Sequence, residues 1–398
     1  MTTMTRLPSA IAAALLLLTT GCSTTKQAHR YSKDKAAATL AKFERVGLEL
    51  GTFPIDGSNC VLDGDTIRVK GLQSTMRLLG IDTEETFKHA NEREAYARGW
   101  EWYLKEMRGD KPKPAKFATP MGMEAMEWAR QYFDGVKEVR LVRDHPGEIR
   151  GFYNRYLVYV LVQKNGQWVN YNLAAVRAGM SPYFTKYGRS RRWDAEFRKA
   201  QADARAEKLG IWDPTKQHYV DYDERLAWWD HRGDVIQAFE KEAEGHPDYI
   251  SLTRWNSLGE LEKHVGKEVH LFAAVQDVKL GDKGPTVVKL SRTRTSSVNV
   301  VFFDKDVFLG TGLALQRGEY VTIRGRVSKY LDRRRNREQL QIVVSLPGQV
   351  IVPSDDLDKL LIDSPGARYQ DPAEPPPDST QPSQSDLPSA AGLDLDAN

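Results

Sequence analysis

The 398 residues contain only two cysteines, Cys22 and Cys60. That excludes a disulfide framework and any cysteine-based zinc site. Cys60 sits just before an expected strand and reads as a small buried hydrophobe. Long apolar runs are also scarce. The run at 11–18 follows Arg6 and is too short to span a bilayer as a mature helix. A strong overall charge is missing, with 57 Lys and Arg against 54 Asp and Glu. The balance hides an asymmetry. Residues 363–398 carry seven acids and one base, Arg368, which leaves the rest of the chain at +9. The same stretch holds seven of the 19 prolines. Such a segment cannot bury enough apolar surface to offset its ordering entropy, so 354–398 is expected to be a disordered acidic tail. The 40% hydrophobic and 28% charged shares are those of an ordinary globular protein. The length leaves room for about two to three domains.

The short apolar run leads into Thr19-Thr20-Gly21-Cys22-Ser23. A small residue before a cysteine at this place resembles a bacterial lipoprotein signal. The resemblance implies acylation of Cys22, with residues 1–22 as the signal region and 23–50 as a spacer. It also implies a membrane-anchored protein of the cell envelope facing the periplasm or exterior. Thr19 stands where leucine is usual. The alternative is an ordinary secretory signal and a secreted protein.

Residues 59–86 alternate as paired strands do. Ile67 and Val69 share one face, a turn falls near Lys70-Gly71, and Met76 and Leu78 resume the apolar face. Arg77 lies between those two and points to the other side. Residues 88–121 look like an insertion: a helix near 90–108 with Tyr96, Trp100, Leu104 and Met107 in its stripe, then an extended basic loop at 111–116. A helix from Gly122 to about Phe133 follows, then strands at 136–143 and 153–163. A short helix is expected at 169–178 and a longer one at 194–208. Residues 215–264 read as a polar helical connector, with Ser257 to Glu260 fitting a capping box. From 265 to 353 five short strands with a break near 304–316 suggest a second small barrel, most simply an OB-fold. Residues 266–352 hold 15 Lys and Arg against eight acids, a net +7. Arg333, Arg334, Arg335 and Arg337 fall between its last two strands, a position from which such barrels grip nucleic-acid backbone. Tyr330 and Phe302 are expected near that surface. A solvated hairpin tip is the plainer alternative.

The chemistry concentrates in Val61–Thr86, where Asp65, Arg77, Asp82 and Glu85 occur together. Each alone is uninformative: Asp-Gly forms turns, acids favour helix starts, and arginine pairs with acids. Together they supply oxygen ligands for a hard cation and a charge clamp for a phosphodiester. With Arg155 in FYNRYLVYVL and AEKLGIW at 206–212, the pattern resembles the staphylococcal nuclease (thermonuclease-like) family over about 58–214. That resemblance implies an α+β, mainly β fold: an OB-fold nuclease barrel over 51–214, joined to the second barrel. It implies a nuclease acting on DNA and/or RNA with calcium held by Asp65, Asp82 and the carbonyl of Thr83. Glu85 would position the attacking water, Arg77 and Arg155 would clamp phosphate, and Tyr153 and Tyr183 would flank the nucleotide. Glu84 stands where family members commonly have proline, which would put an extra carboxylate beside the cation. The competing reading is a catalytically weak or silent nucleic-acid-binding envelope lipoprotein. No protein partner can be inferred.

Overall fold

The computed structural model describes residues 33–109, 111, 113–293, 296–333 and 336–353. The expected signal with Cys22, the arginines Arg334 and Arg335, and the tail at 354–398 lie outside the described residues. Two sheets with helices packed on them make a mixed α+β fold.

The first sheet is built from residues 49–170. Helix α1 (Lys33–Arg45) precedes β1 (Glu49–Pro54), β2 (Val61–Asp63), β3 (Thr66–Ile67) and β4 (Met76–Leu78). Helices α2 (Ala90–Tyr96), α3 (Trp100–Arg108) and α4 (Pro120–Phe133) come next, followed by β5 (Glu138–Val142), β6 (Tyr156–Lys164) and β7 (Gln167–Asn170). Helices α5 (Tyr171–Arg177) and α6 (Asp194–Ala206) complete the unit. The strands run β1-β5-β6-β4-β3-β2, with β7 also on β6. Strand β6 is central, and Tyr156, Val158, Tyr159, Val160 and Val162 are buried along it. That near-continuous burial fits a strand covered on both faces. Thr119 caps α4 by accepting from the Gly122 N–H, and Pro120 opens the helix, where a missing N–H is harmless.

Several expectations need correction here. The single helix near 90–108 is two helices, because Gly99 takes φ +116° between them. The break rotates the second helix so that Tyr103, not Leu104, is buried. The expected helix at 169–178 starts only at Tyr171, since Gln167–Asn170 pair with β6. The spacer expected over 23–50 is not a tether throughout. Phe43 on α1 is buried against Tyr156, and the Arg143 guanidinium donates to the carbonyls of Phe43, Val46 and Gly47.

Helix α7 (Tyr222–Glu242) leads to β8 (Tyr249–Ser251), α8 (Ser257–Lys263) and β9 (Glu268–Lys279). Then follow β10 (Thr286–Thr293), β11 (Ser296–Phe302), α9 (Lys305–Gly310), β12 (Tyr320–Asp332), β13 (Arg337–Val343) and β14 (Val350–Ile351). Strand β9 pairs with both β10 and β12, so the circuit β9-β10-β11-β13-β12 closes on itself. Phe302 faces the interior and is buried, so it cannot serve the surface expected of it; Tyr330 is half exposed. The capping box at Ser257 does not form. Asn256 occupies the cap position without accepting from the backbone N–H groups of the first turn, and the Ser257 hydroxyl is buried with no partner.

Helix α7 is no polar connector. Tyr222 joins the core of the first sheet, Leu226 and Trp229 pack with Phe184, and Ile236 and Phe239 pack with Phe272 and Tyr320 of the second sheet. Glu319 on the second sheet takes ion pairs from Arg232 of α7 and from Lys113 of the insertion. Arg254 donates to Glu148 at 2.6 Å and pairs also with Glu240. The two sheets are therefore joined through a shared, partly charged core.

Candidate active site

Asp65 sits at the tight turn between β2 and β3. The approach there is close: a Cβ on Gly64 would lie 2.6 Å from Cγ2 of Thr83. The Tyr171 hydroxyl donates to the Gly64 carbonyl at 2.8 Å, so the head of α5 fixes the turn. Thr66 Oγ1 donates to Asp65 at 2.7 Å. Asp82 is buried just beyond β4, and its backbone N–H donates to Ser181 Oγ at 2.8 Å. Arg77 projects from β4 between the two acids and pairs with both, one nitrogen to each carboxylate. The forked guanidinium thus measures the spacing of Asp65 and Asp82.

Glu85 lies at the mouth, with its side chain 38% exposed. Its backbone is held from behind. Thr119 N–H donates to the Glu85 carbonyl at 3.0 Å, and a Cβ on Gly122 would lie 2.1 Å from that oxygen. The start of α4 can approach only because residue 122 is glycine. Arg155, ahead of β6, donates to Thr66 Oγ1 at 3.4 Å and lies 5.9 Å from the Tyr153 ring. It makes no bond to a carboxylate among the described residues. Burial, reinforced by Arg77, pushes its guanidinium below the ordinary arginine value.

Two lysines enter the site from the insertion. Lys116 Nζ is 2.6 Å from Asp82 and 3.8 Å from Glu85. Lys88 Nζ donates to Asp63 at 2.8 Å and to Glu85 at 3.2 Å. Burial pulls the Asp82 carboxyl up, but Lys116 and Arg77 outweigh it and hold it below the usual carboxylate range. Sequence reasoning treated the loop at 111–116 as merely basic; its alternation with proline was the only signal of an ordered reach.

Two expectations fail. Tyr183 does not flank a nucleotide: it is 3% exposed, stacks on Phe197 at 4.8 Å, and donates its hydroxyl to Asp194 at 2.8 Å. Glu84 does not add a carboxylate beside the cation. It turns inward, where it accepts from Tyr219 N–H and the Tyr222 hydroxyl, each at 2.7 Å, and from Thr119 Oγ1. Burial raises its carboxyl above the ordinary value despite those three donors. Tyr153 is 64% exposed, as a flanking ring must be. Tyr187, also 64% exposed, is the aromatic that sequence reasoning missed. Its ring meets Phe184, whose own ring lies 5.6 Å from Arg77. The interleaving of Phe184, Lys186 and Tyr187 was the available signal. Arg333 and Arg337 are exposed on the second sheet.

The donors that converge are all oxygens, which suits a hard cation such as calcium rather than zinc. Asp65 and Asp82 are bridged by one guanidinium, and Thr83 Oγ1 beside them is buried without a partner. Among the described residues, no group of three or more His, Cys, Asp or Glu side chains is gathered for a metal. A cation here would have at most two side-chain carboxylates from this pair, Asp65 and Asp82.

An uncharacterized protein of Methanocaldococcus jannaschii is 28% identical over 155 residues, which cover 38% of this chain and 69% of that protein. Residues 75–214 match the family model described as staphylococcal nuclease homologue. Those residues are similar to that family; Asp65 precedes the matched span and Tyr219 and Tyr222 follow it.

Proposed function

We propose that this protein is a calcium-dependent nuclease that hydrolyses phosphodiester bonds of DNA and/or RNA. The observation that carries the reading is Arg155, an arginine with no carboxylate bond among the described residues, which reaches Asp65 and the Arg77 cluster through Thr66 Oγ1. An arginine so placed is available to a phosphate. Asp65, Asp82 and the Thr83 carbonyl would hold the calcium, which polarises a phosphate oxygen and neutralises charge. Glu85 orients the attacking water and takes its proton, with its backbone locked by Thr119. Arg77 and Arg155 present forked donors to the phosphate oxygens and to the charge that grows on them.

The second sheet is proposed to be an OB-like barrel that adds nucleic-acid affinity through Arg333, Arg334, Arg335 and Arg337. Its net charge supports this, as does the half-exposed Tyr330. The N-terminal pattern supports acylation at Cys22 and an envelope location. A second reading, silent nucleic-acid binding, is favoured by one observation: Arg77 and Lys116 already balance the acids that a cation would use. Digestion of single- and double-stranded DNA and RNA, with calcium and with excess chelator, decides between them. The nuclease reading expects cleavage in calcium and none in chelator. Undiminished cleavage in chelator removes the metal assignment, and no cleavage in any metal leaves the binding reading.

A further inference from the structure

Lys186 is the charge that the site leaves over. It lies between Phe184, which packs against Arg77, and the exposed Tyr187. Its ammonium sits 4.1 Å from the Trp228 ring centroid and 5.8 Å from that of Tyr187. It has no hydrogen-bond acceptor or carboxylate partner among the described residues. The neighbouring acids are committed elsewhere. Glu319 receives Lys113, Arg232 and the Trp228 indole N–H, the last at 3.2 Å. Asp82 receives Arg77 and Lys116. The Arg232 guanidinium also donates to the Lys186 carbonyl at 3.2 Å, which fixes the backbone under the side chain.

A partly buried ammonium without a counter-ion is unfavourable unless something supplies one. Burial, with help from Arg232 and Lys116, depresses Lys186 to about 8. Both conditions are relieved by an arriving anion. The aromatic faces matter as well, because Tyr187 offers a stacking platform next to that charge.

We propose that Lys186 forms a second phosphate subsite, holding a backbone phosphate of a single-stranded polynucleotide next to the one clamped by Arg77 and Arg155, with Tyr187 stacking an adjoining base. The subsite rests on the nuclease reading for its register but not for its binding. One of its walls is Trp228 of α7, which lies beyond the span matched by the nuclease family model. The connector helix therefore takes part in substrate selection. It favours chains with more than one phosphate over a single phosphodiester.

The test is a salt titration of single-stranded DNA oligonucleotide binding, in the full-length chain carrying Glu85→Gln to suppress cleavage. Each phosphate neutralised on a single strand contributes about 0.7 to the slope of log K against log salt. Lys186→Met, which keeps the stem on Trp228, should lower the slope by about that amount and weaken binding roughly tenfold. Lys186→Arg should restore both. With Glu85 intact, Lys186→Met should raise KM for the oligonucleotide and leave kcat unchanged. It should leave hydrolysis of bis(p-nitrophenyl) phosphate, with its single phosphodiester, as it was. An unchanged slope and KM would overturn the subsite, and so would an equal loss on the single phosphodiester. A wild-type chain that binds with the Lys186-dependent slope yet cuts nothing would overturn the nuclease reading and keep the subsite.

Discussion

Tyr222→Phe should loosen the loop that carries Glu84 and Glu85 from a residue that lies outside the matched span. The Tyr222 hydroxyl donates to Glu84 at 2.7 Å, and Glu84 is buried at 1% exposure. Phenylalanine keeps the ring against Trp212 and Tyr219 and deletes only the donor. The carboxylate then retains Tyr219 N–H and Thr119 Oγ1. At a pH above its raised titration range, where Glu84 is ionised, a hydrogen bond to a charged group contributes about 1.5–3 kcal/mol, and a buried acceptor that loses it cannot turn to water. For a domain of this size each kcal/mol moves the midpoint by about 2–4 °C, so the expected fall in Tm is roughly 3–12 °C. The mechanism can be isolated by a double-mutant cycle. In a Glu84→Gln background the same change should be smaller, because a neutral acceptor is worth only about 0.5–1.5 kcal/mol. Thermal unfolding followed by tryptophan fluorescence reads all four proteins. A variant that melts with the wild type, or an equal effect in both backgrounds, would refute the coupling of Tyr222 to Glu84.

Other expectations are direct. Glu85→Gln and Arg155→Ala should each lower kcat by about 10²–10³ while the melting temperature holds, measured on a short oligonucleotide; wild-type turnover in both would place the chemistry elsewhere. Burial pushes the Glu148 carboxyl up to about 7 against the pull of Arg254, with Asp144 and Glu240 adding to the rise. The folded state then holds a proton that the unfolded state releases, so Glu148 weakens the fold progressively as pH rises from its ordinary value toward 7. His145 nearby titrates in the opposite sense, depressed to about 4 by burial and by Arg254, Arg191 and Arg143. A comparison of wild type with Glu148→Gln cancels that contribution, and the variant's relative Tm should climb between pH 5 and pH 8. The wild-type protein should fractionate with membranes, and Cys22→Ser should be released or keep its signal; mass spectrometry of an unmodified terminus beyond Cys22 would remove the anchor.

Asp65, Arg77, Asp82 and Glu85 could be picked out because they share one short stretch in which Gly64 and the alternation of β4 dictate direction, and Arg155 because FYNRYLVYVL resembles a family motif. Arg77 had to oppose Met76 and Leu78, and it does. Irregular backbone carries no such rule. Residues 83–86 have no period, so Glu84 and Glu85 could not be assigned to inside and outside from sequence. Tyr183 misled for a related reason: a tyrosine near the site can as well satisfy its hydroxyl in the core, and Asp194 and Ser190 provide for that. Helix α7 read as a polar connector because Arg225 and Arg232 lie on its buried side. Asp221, one turn away, meets Arg225, but the other partners are distant in sequence: Glu319 and the carbonyls of Ala115 and Gly318.

Glu84 ties these threads together. Where the resembling family commonly has proline, φ at that position is fixed by the ring itself. This chain has a residue with ordinary torsional freedom there. It restricts the loop instead by anchoring the side chain to three donors, one from the start of α4 and two from the approach to α7. Those same segments deliver Lys116 to Asp82 and Trp228 to Lys186. A loop held by local covalent geometry can be excised with its own domain. A loop held by side-chain anchors needs the segments that carry them. The insertion and the connector therefore belong with the proposed catalytic unit, and a chain ending at residue 214 should lose the geometry of Glu85 even though every proposed metal ligand and phosphate clamp remains in it.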